Sequence, residues 1–71
     1  MGLRILKSKR VLQGLTQVQV AEKLNLNPKT YNYKENGRTK FTLDEVTKII
    51  KILNLTLEDV DEIFLEVSNL S

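Results

Sequence analysis

The chain predicts an all-α fold: five short helices packed as one compact domain. Three observations carry this. A start signal recurs four times, in which an apolar residue precedes a cap residue and a second apolar residue follows four positions after the cap. It reads Leu15-Thr16…Val20, Leu26-Asn27…Tyr31, Phe41-Thr42…Val46 and Leu55-Thr56…Val60, the pattern of a hydrophobic staple at a helix N-terminus. Two later segments also carry an apolar stripe at helical period, Leu43, Val46, Ile49, Ile50 and Leu53, then Leu57, Val60, Ile63, Phe64 and Val67, as expected of helices with one face in a core. Finally, 71 residues suffice for one small core, so residues 1–71 read as a single domain.

The elements follow in order. Helix 1 is expected over residues 3–12, with Leu3, Leu6 and Arg10 on one face, Ile5 and Leu12 on another, and Gly14 ending it. Helix 2 covers residues 17–24. Val20, Ala21 and Leu24 form its apolar face, and Ala21 is small enough to let a crossing helix approach the backbone. Asn25 tolerates the left-handed conformation of a sharp turn, and Leu26 plugs the angle. Helix 3 covers residues 28–36. Asn27 is its N-cap, Pro28 stands at N1 where a missing N–H costs nothing, Tyr31 points inward, and Gly37 closes it. Helices 4 and 5 are expected over 43–53 and 57–67. Thr16-x-x-Gln19 and Thr42-x-x-Glu45 fit the capping box, and Asp59 holds the equivalent place after Thr56.

Residues 16–37 therefore have a helix-turn-helix layout, in which the second helix of such a pair enters the DNA major groove. Lys29, Asn32, Tyr33 and Asn36 face outward from helix 3. They are hydrogen-bonding or aromatic side chains with one cation, suited to nucleic acid, although a merely solvated face has the same composition.

Charge supports the same assignment. Net charge is +2, but residues 1–40 hold nine cations against two acids, net +7, and residues 41–71 hold two cations against seven acids, net −5. The half that suits a polyanion is the half with the helix pair. Without cysteine or histidine, the chain has no disulfide framework, no thiolate or imidazole metal site and no usual proton shuttle. Neither a cofactor nor a small-molecule ligand is implied. No apolar run approaches the ~20 residues of a membrane span, no signal peptide is visible, and a cytoplasmic location is expected.

Gly14-Leu15-Thr16-Gln17, Val20-Ala21, Leu24 and Glu35-Asn36-Gly37-Arg38, followed by a helix and Leu53-Asn54-Leu55-Thr56-Leu57, resemble the Cro and repressor DNA-binding domains of lambdoid phages. The resemblance runs from about Leu3 to Phe64. It implies a five-helix repressor-like domain that binds double-stranded operator DNA as a dimer and regulates transcription. It further implies a base-reading surface of Pro28, Lys29, Asn32 and Tyr33, phosphate contacts from Thr16, Gln17, Asn36, Arg38 and Lys40, and a structural ion pair between Arg10 and Glu35. Sequence alone does not show that the last two meet. The chain departs from the family pattern at three places. Asn25 stands where glycine is usual, and Pro28 brings no side-chain donor to the first reading position. Lys34 stands where an apolar residue is usual. Lys34 either lays its stem on the core and sends its ammonium to phosphate, or helix 3 ends early or rotates.

An alternative use of the same fold is a protein-interaction module, such as an antitoxin-like regulatory subunit. An enzyme finds no support: there is no Gly-rich phosphate loop, and the adjacent acids Asp61 and Glu62 read as solubilising charge. One helix reads few base pairs, so weak dimerisation on DNA is expected, with Leu65 and Leu70 as a candidate two-fold surface and the loop after helix 3 or the start of helix 5 as the alternatives.

Overall fold

Each helix begins at a residue whose side chain replaces a missing backbone partner. In the computed structural model, which describes residues 2–65 and only the backbone of residue 65, the helices are α1 (Gly2–Leu12), α2 (Gln17–Lys23), α3 (Pro28–Glu35), α4 (Leu43–Ile52) and α5 (Leu57–Val60). Thr16, Thr42 and Thr56 are extended N-caps with complete capping boxes, closed by Gln19, Glu45 and Asp59. Asn27 caps α3 by accepting from the Lys29 N–H at 2.8 Å, with Pro28 at N1.

The first four helices also end alike. Gly14, Asn25, Gly37 and Asn54 are the positive-φ residues among those described, at 73°, 59°, 81° and 55°. After each, the next N–H reaches back to a carbonyl five residues earlier: Leu15 to Arg10, Leu26 to Ala21, Arg38 to Tyr33 and Leu55 to Ile50, at 3.2, 2.8, 2.8 and 2.9 Å. This is the Schellman closure. Two of the four positions are asparagine, which enters the left-handed region more readily than other side-chain-bearing residues.

The core consists of Leu6, Val20, Ala21, Leu24, Tyr31, Ile49, Leu53, Leu55 and Ile63. Ala21 has no exposed surface, under the α2–α3 crossing. In α1, Leu6 and Arg10 point inward, with Leu3 and Ile5 packed at the edge, while Leu12 is exposed. Phe41 joins α3 to the C-terminal region, tilted against Tyr31 at 6.1 Å and edge-on to Phe64 at 5.8 Å, within the range where such aromatic pairs attract.

Three expectations are corrected. Leu43 and Leu57 do not belong to the buried stripes: they are 83% and 90% exposed. Both stand at N1, one position past a cap, where the helix has not yet come down onto the core; burial begins at Val46 and Val60. Helix 5 is not one continuous α-helix. After Val60 the chain widens into a π-helical turn, Asp61–Leu65, the single-turn form in which π geometry is usually found. This turn packs on the start of α1, where Gly2 is buried: a Cβ there would stand 2.6 Å from the carbonyl oxygens of Glu62 and Ile63. Lastly, Lys34 is buried, as a stem laid on the core requires, but its ammonium goes to Glu45 and the Lys40 carbonyl and not to phosphate, and α3 runs on to Glu35. Val67, Leu70 and the side chain of Leu65 lie outside the described residues.

Candidate nucleic-acid interface

Helix α3 has an unusual composition for a packed helix. Of its eight residues, PKTYNYKE, only Tyr31 is a buried apolar side chain; the other buried residues are Lys34 and Glu35. Its seating therefore depends on polar contacts that have a direction.

Glu35 lies at the centre of the first set. Its Oε2 accepts from Arg10 Nε at 2.9 Å and from the Tyr31 hydroxyl at 2.7 Å. Its Oε1 accepts from Gln17 Nε2 at 3.0 Å and from the second Arg10 terminal nitrogen at 3.2 Å. Arg10 also donates to the Leu15 carbonyl at 2.8 Å, so α1, the α1–α2 turn, α2 and α3 are joined through the Arg10–Glu35 pair. Burial alone would raise the Glu35 carboxyl, but the hydrogen bonds from Arg10, Gln17 and Tyr31, with the charge of Arg10, hold it below the usual range. Burial and the neighbouring carboxylate push the Tyr31 hydroxyl well up, so it stays a neutral donor. Charged Glu35 with both oxygens engaged avoids the large penalty of an unpaired buried ion.

Lys34 forms the second set, on the opposite flank of α3. Its ammonium lies 2.9 Å from Glu45 Oε1 and donates to the Lys40 carbonyl at 2.9 Å. The same ammonium stands 6.0 Å from the Phe41 ring. Glu45 is the residue that caps Thr42, so one carboxylate starts α4 and ties it to α3. Nothing local in the sequence marked this pairing: eleven positions separate the partners, and a lysine at an apolar position points as readily to phosphate.

The outward face is different. Lys29, Asn36, Arg38 and Lys40 are exposed, and Asn32 and Tyr33 are half-buried. Lys29, Arg38 and Lys40 make no ion pair among the described residues. The Arg38 guanidinium lies 4.5 Å from the Tyr33 ring centroid and the Lys29 ammonium 6.0 Å, which gathers two cations around one aromatic ring.

A helix-turn-helix family model matches residues 6–60, more than three quarters of the chain. The chain belongs to that family. It is of the Cro and repressor type, whose members are DNA-binding transcriptional regulators. No curated protein and no solved structure matches the chain.

In this helix-turn-helix, α2 and α3 are the pair, and the residues singled out from sequence fall into four groups, with Gln17 in two of them. Pro28, Lys29, Tyr33, Asn36, Arg38 and Lys40 lie on α3 or the loop after it, and all except half-buried Tyr33 are exposed. Thr16 and Gln17 lie at the N-terminus of α2. The Thr16 hydroxyl oxygen accepts from the Gln19 N–H at 3.1 Å, which leaves its own O–H to donate. Gln17 and Asn32 are bonded to each other, Asn32 Nδ2 donating to Gln17 Oε1 at 2.9 Å, so neither is simply a surface group. Arg10 and Glu35 meet in the interior.

The charge split is softer in three dimensions than along the chain. Lys9 pairs with Asp59 at 3.3 Å and Lys34 with Glu45, each joining the basic half to the acidic half. No helix among the described residues is long and apolar enough to cross a membrane.

Proposed function

We propose that the chain is a sequence-specific regulator of the phage or prophage repressor and Cro kind, acting in the cytoplasm as one helix-turn-helix unit. Helix α3 enters the major groove of operator DNA. Lys29, Asn32 and Tyr33 meet base edges there, with Pro28 packing beside them. Thr16, Gln17, Asn36, Arg38 and Lys40 contact phosphates on either side. The observation that supports this is the division between the two sides of α3: its inner residues are fixed by Arg10, Gln17 and Glu45, while Lys29, Arg38 and Lys40 on the outer side make no ion pair among the described residues. Phosphate contacts fix register and base contacts specify sequence, and this face offers both.

Two copies read a near-palindromic site with half-sites ~10 base pairs apart. The near-complete exposure of Leu57 supports a two-fold contact at the start of α5. Sedimentation of Leu57→Lys and Leu65→Lys, each with and without operator, separates this surface from the acidic face of helix 5.

The function is tested by selecting duplexes from a random library and titrating the winner at several salt concentrations. Recovery of a two-fold sequence is expected. With about five phosphates neutralised per monomer, each contributes a slope near −0.9 in log K against log salt. An affinity independent of salt, or no enriched sequence, rejects the proposal.

A further inference from the structure

The polar chain that begins at Arg10 does not stop at the interior. It runs Arg10, Glu35, Gln17, Asn32 and ends on the outer side of α3. Every link has one permitted direction. A carboxylate only accepts, so the Gln17 group facing Glu35 at 3.0 Å is its NH2. Gln17 then turns its carbonyl oxygen to Asn32, and Asn32 answers with its NH2 at 2.9 Å. The Asn32 oxygen is left pointing away, with no hydrogen-bond partner among the described residues. An isolated surface asparagine can present either end of its amide, because the two ends differ little in shape.

We propose that Glu35 acts through Gln17 as a positioning residue for base recognition, fixing Asn32 so that it shows the groove an acceptor beside its second amide hydrogen. This rests on the reading that α3 lies in the major groove. That edge matches adenine, which offers N6–H to the oxygen and N7 to the hydrogen. It does not match guanine, whose N7 and O6 are both acceptors. A reversed Asn32 would present two hydrogens and take guanine O6 or thymine O4 instead. The interior ion pair thus selects between base types without touching DNA.

Two substitutions break the relay at different points. Gln17→Met keeps the length of the side chain but removes both links, leaving the Arg10–Glu35 pair intact. Glu35→Gln inverts the relay. The new amide oxygen stays with Arg10 Nε and the Tyr31 hydroxyl, its two close donors at 2.9 and 2.7 Å, and gives up the longer 3.2 Å contact from the second Arg10 terminal nitrogen. Its NH2 therefore faces Gln17, which must turn over, and so must Asn32.

The experiment compares the wild-type chain, Asn32→Ala, Gln17→Met and Glu35→Gln on duplexes carrying each of the four base pairs at every operator position, with thermal melting to confirm folding. The position read by Asn32 is the one whose preference Asn32→Ala erases. There, the wild-type chain is expected to prefer adenine over guanine by about tenfold or more. Gln17→Met should bring this ratio close to one and leave the ratios at the Lys29 and Tyr33 positions unchanged. Loss of a phosphate contact alone would instead weaken all duplexes equally. Folded Glu35→Gln should reverse the preference toward guanine or thymine. If Glu35→Gln does not fold, Gln17→Met decides. A wild-type ratio retained in Gln17→Met, or no position responding to Asn32→Ala, overturns the relay while leaving DNA binding in place. Absence of preference at every position in the wild-type chain overturns the DNA reading itself.

Discussion

Lys34→Met tests whether this lysine is part of the frame or part of the DNA surface. Methionine keeps the apolar stem over the core and deletes the ammonium. The loss comprises a 2.9 Å ion pair with Glu45 and a 2.9 Å hydrogen bond to the Lys40 carbonyl. A fully buried pair costs about 3–5 kcal/mol when one partner is removed, and an exposed pair about 0–1. The Lys34 and Glu45 side chains are 10% and 12% exposed, and Glu45 keeps the Thr42 N–H at 2.9 Å, so water and the cap compensate in part. An intermediate loss of about 1–3 kcal/mol follows. For a domain of this size each kcal/mol lowers Tm by about 4–8 °C. Thermal unfolding of Lys34→Met, Glu45→Gln and the double variant measures the coupling, which should exceed about 0.5 kcal/mol for contacting partners. The salt slope of DNA binding supplies the second readout. A frame residue leaves it unchanged, whereas a phosphate ligand lowers it by ~0.9. A Tm within about 2 °C of the parent, or a reduced slope, refutes the reasoning.

Ala21→Leu should cost about 1–3 kcal/mol by overpacking the α2–α3 crossing, where Ala21 has no exposed surface; a Tm at or above the parent value contradicts that packing. Stability should also fall in acid. Burial raises the Glu35 and Glu45 carboxyls, but hydrogen bonds to Arg10, Gln17 and Tyr31 in one case, and to Thr42 and Lys34 in the other, hold both below their ordinary values. The unfolded chain then takes up more protons, so this stabilisation is present above about pH 4.5 and is lost as pH falls through the folded-state values; a Tm that is flat or rising from pH 5 to pH 3 excludes it. On the preferred duplex, Lys29→Ala and Asn32→Ala should each cost roughly 1–3 kcal/mol and relax one base position, while Lys40→Ala weakens all sequences alike. Equal losses on specific and non-specific duplexes would remove Lys29 and Asn32 from the reading surface.

The helix starts were legible because each is written locally. Thr16 with Gln19 and Thr42 with Glu45 close boxes only four residues wide, and a pattern that short needs no tertiary information. The turn at Asn25 was legible for the same reason, and Asn54 uses the same closure at the end of α4. Periodicity gives the direction of the core but not its edge, which is why the period alone assigns Leu43 and Leu57 to the inside although both are exposed. Amphipathic period has no term for how soon after its cap a helix meets its neighbours. The site was legible by residue type and not by partner. Gln17 and Asn32 are fifteen positions apart and Lys34 and Glu45 eleven; no spacing rule joins them, because their meeting depends on how α3 lies across α2 and α4.

That orientation is itself set by polar residues. A helix with one buried apolar side chain, Tyr31, has little hydrophobic energy to fix its rotation, since burial rewards area and is non-directional. Reading bases requires a helix held to a fraction of an ångström and a few degrees. Consecutive residues supply the constraint. Glu35 is held from one flank by Arg10 and Gln17, and Lys34 from the other by Glu45 and the Lys40 carbonyl. Rotating α3 toward either flank stretches hydrogen bonds on the opposite one, at both 2.9 Å ion pairs. An apolar residue at position 34 would bury comparable area but leave the loop to Lys40 untied and α3 held from one side. The lysine that departs from the family pattern therefore contributes orientation rather than charge for DNA, and the aromatic face of Tyr33 next to it, with Arg38 stacked at 4.5 Å, is what that orientation presents outward.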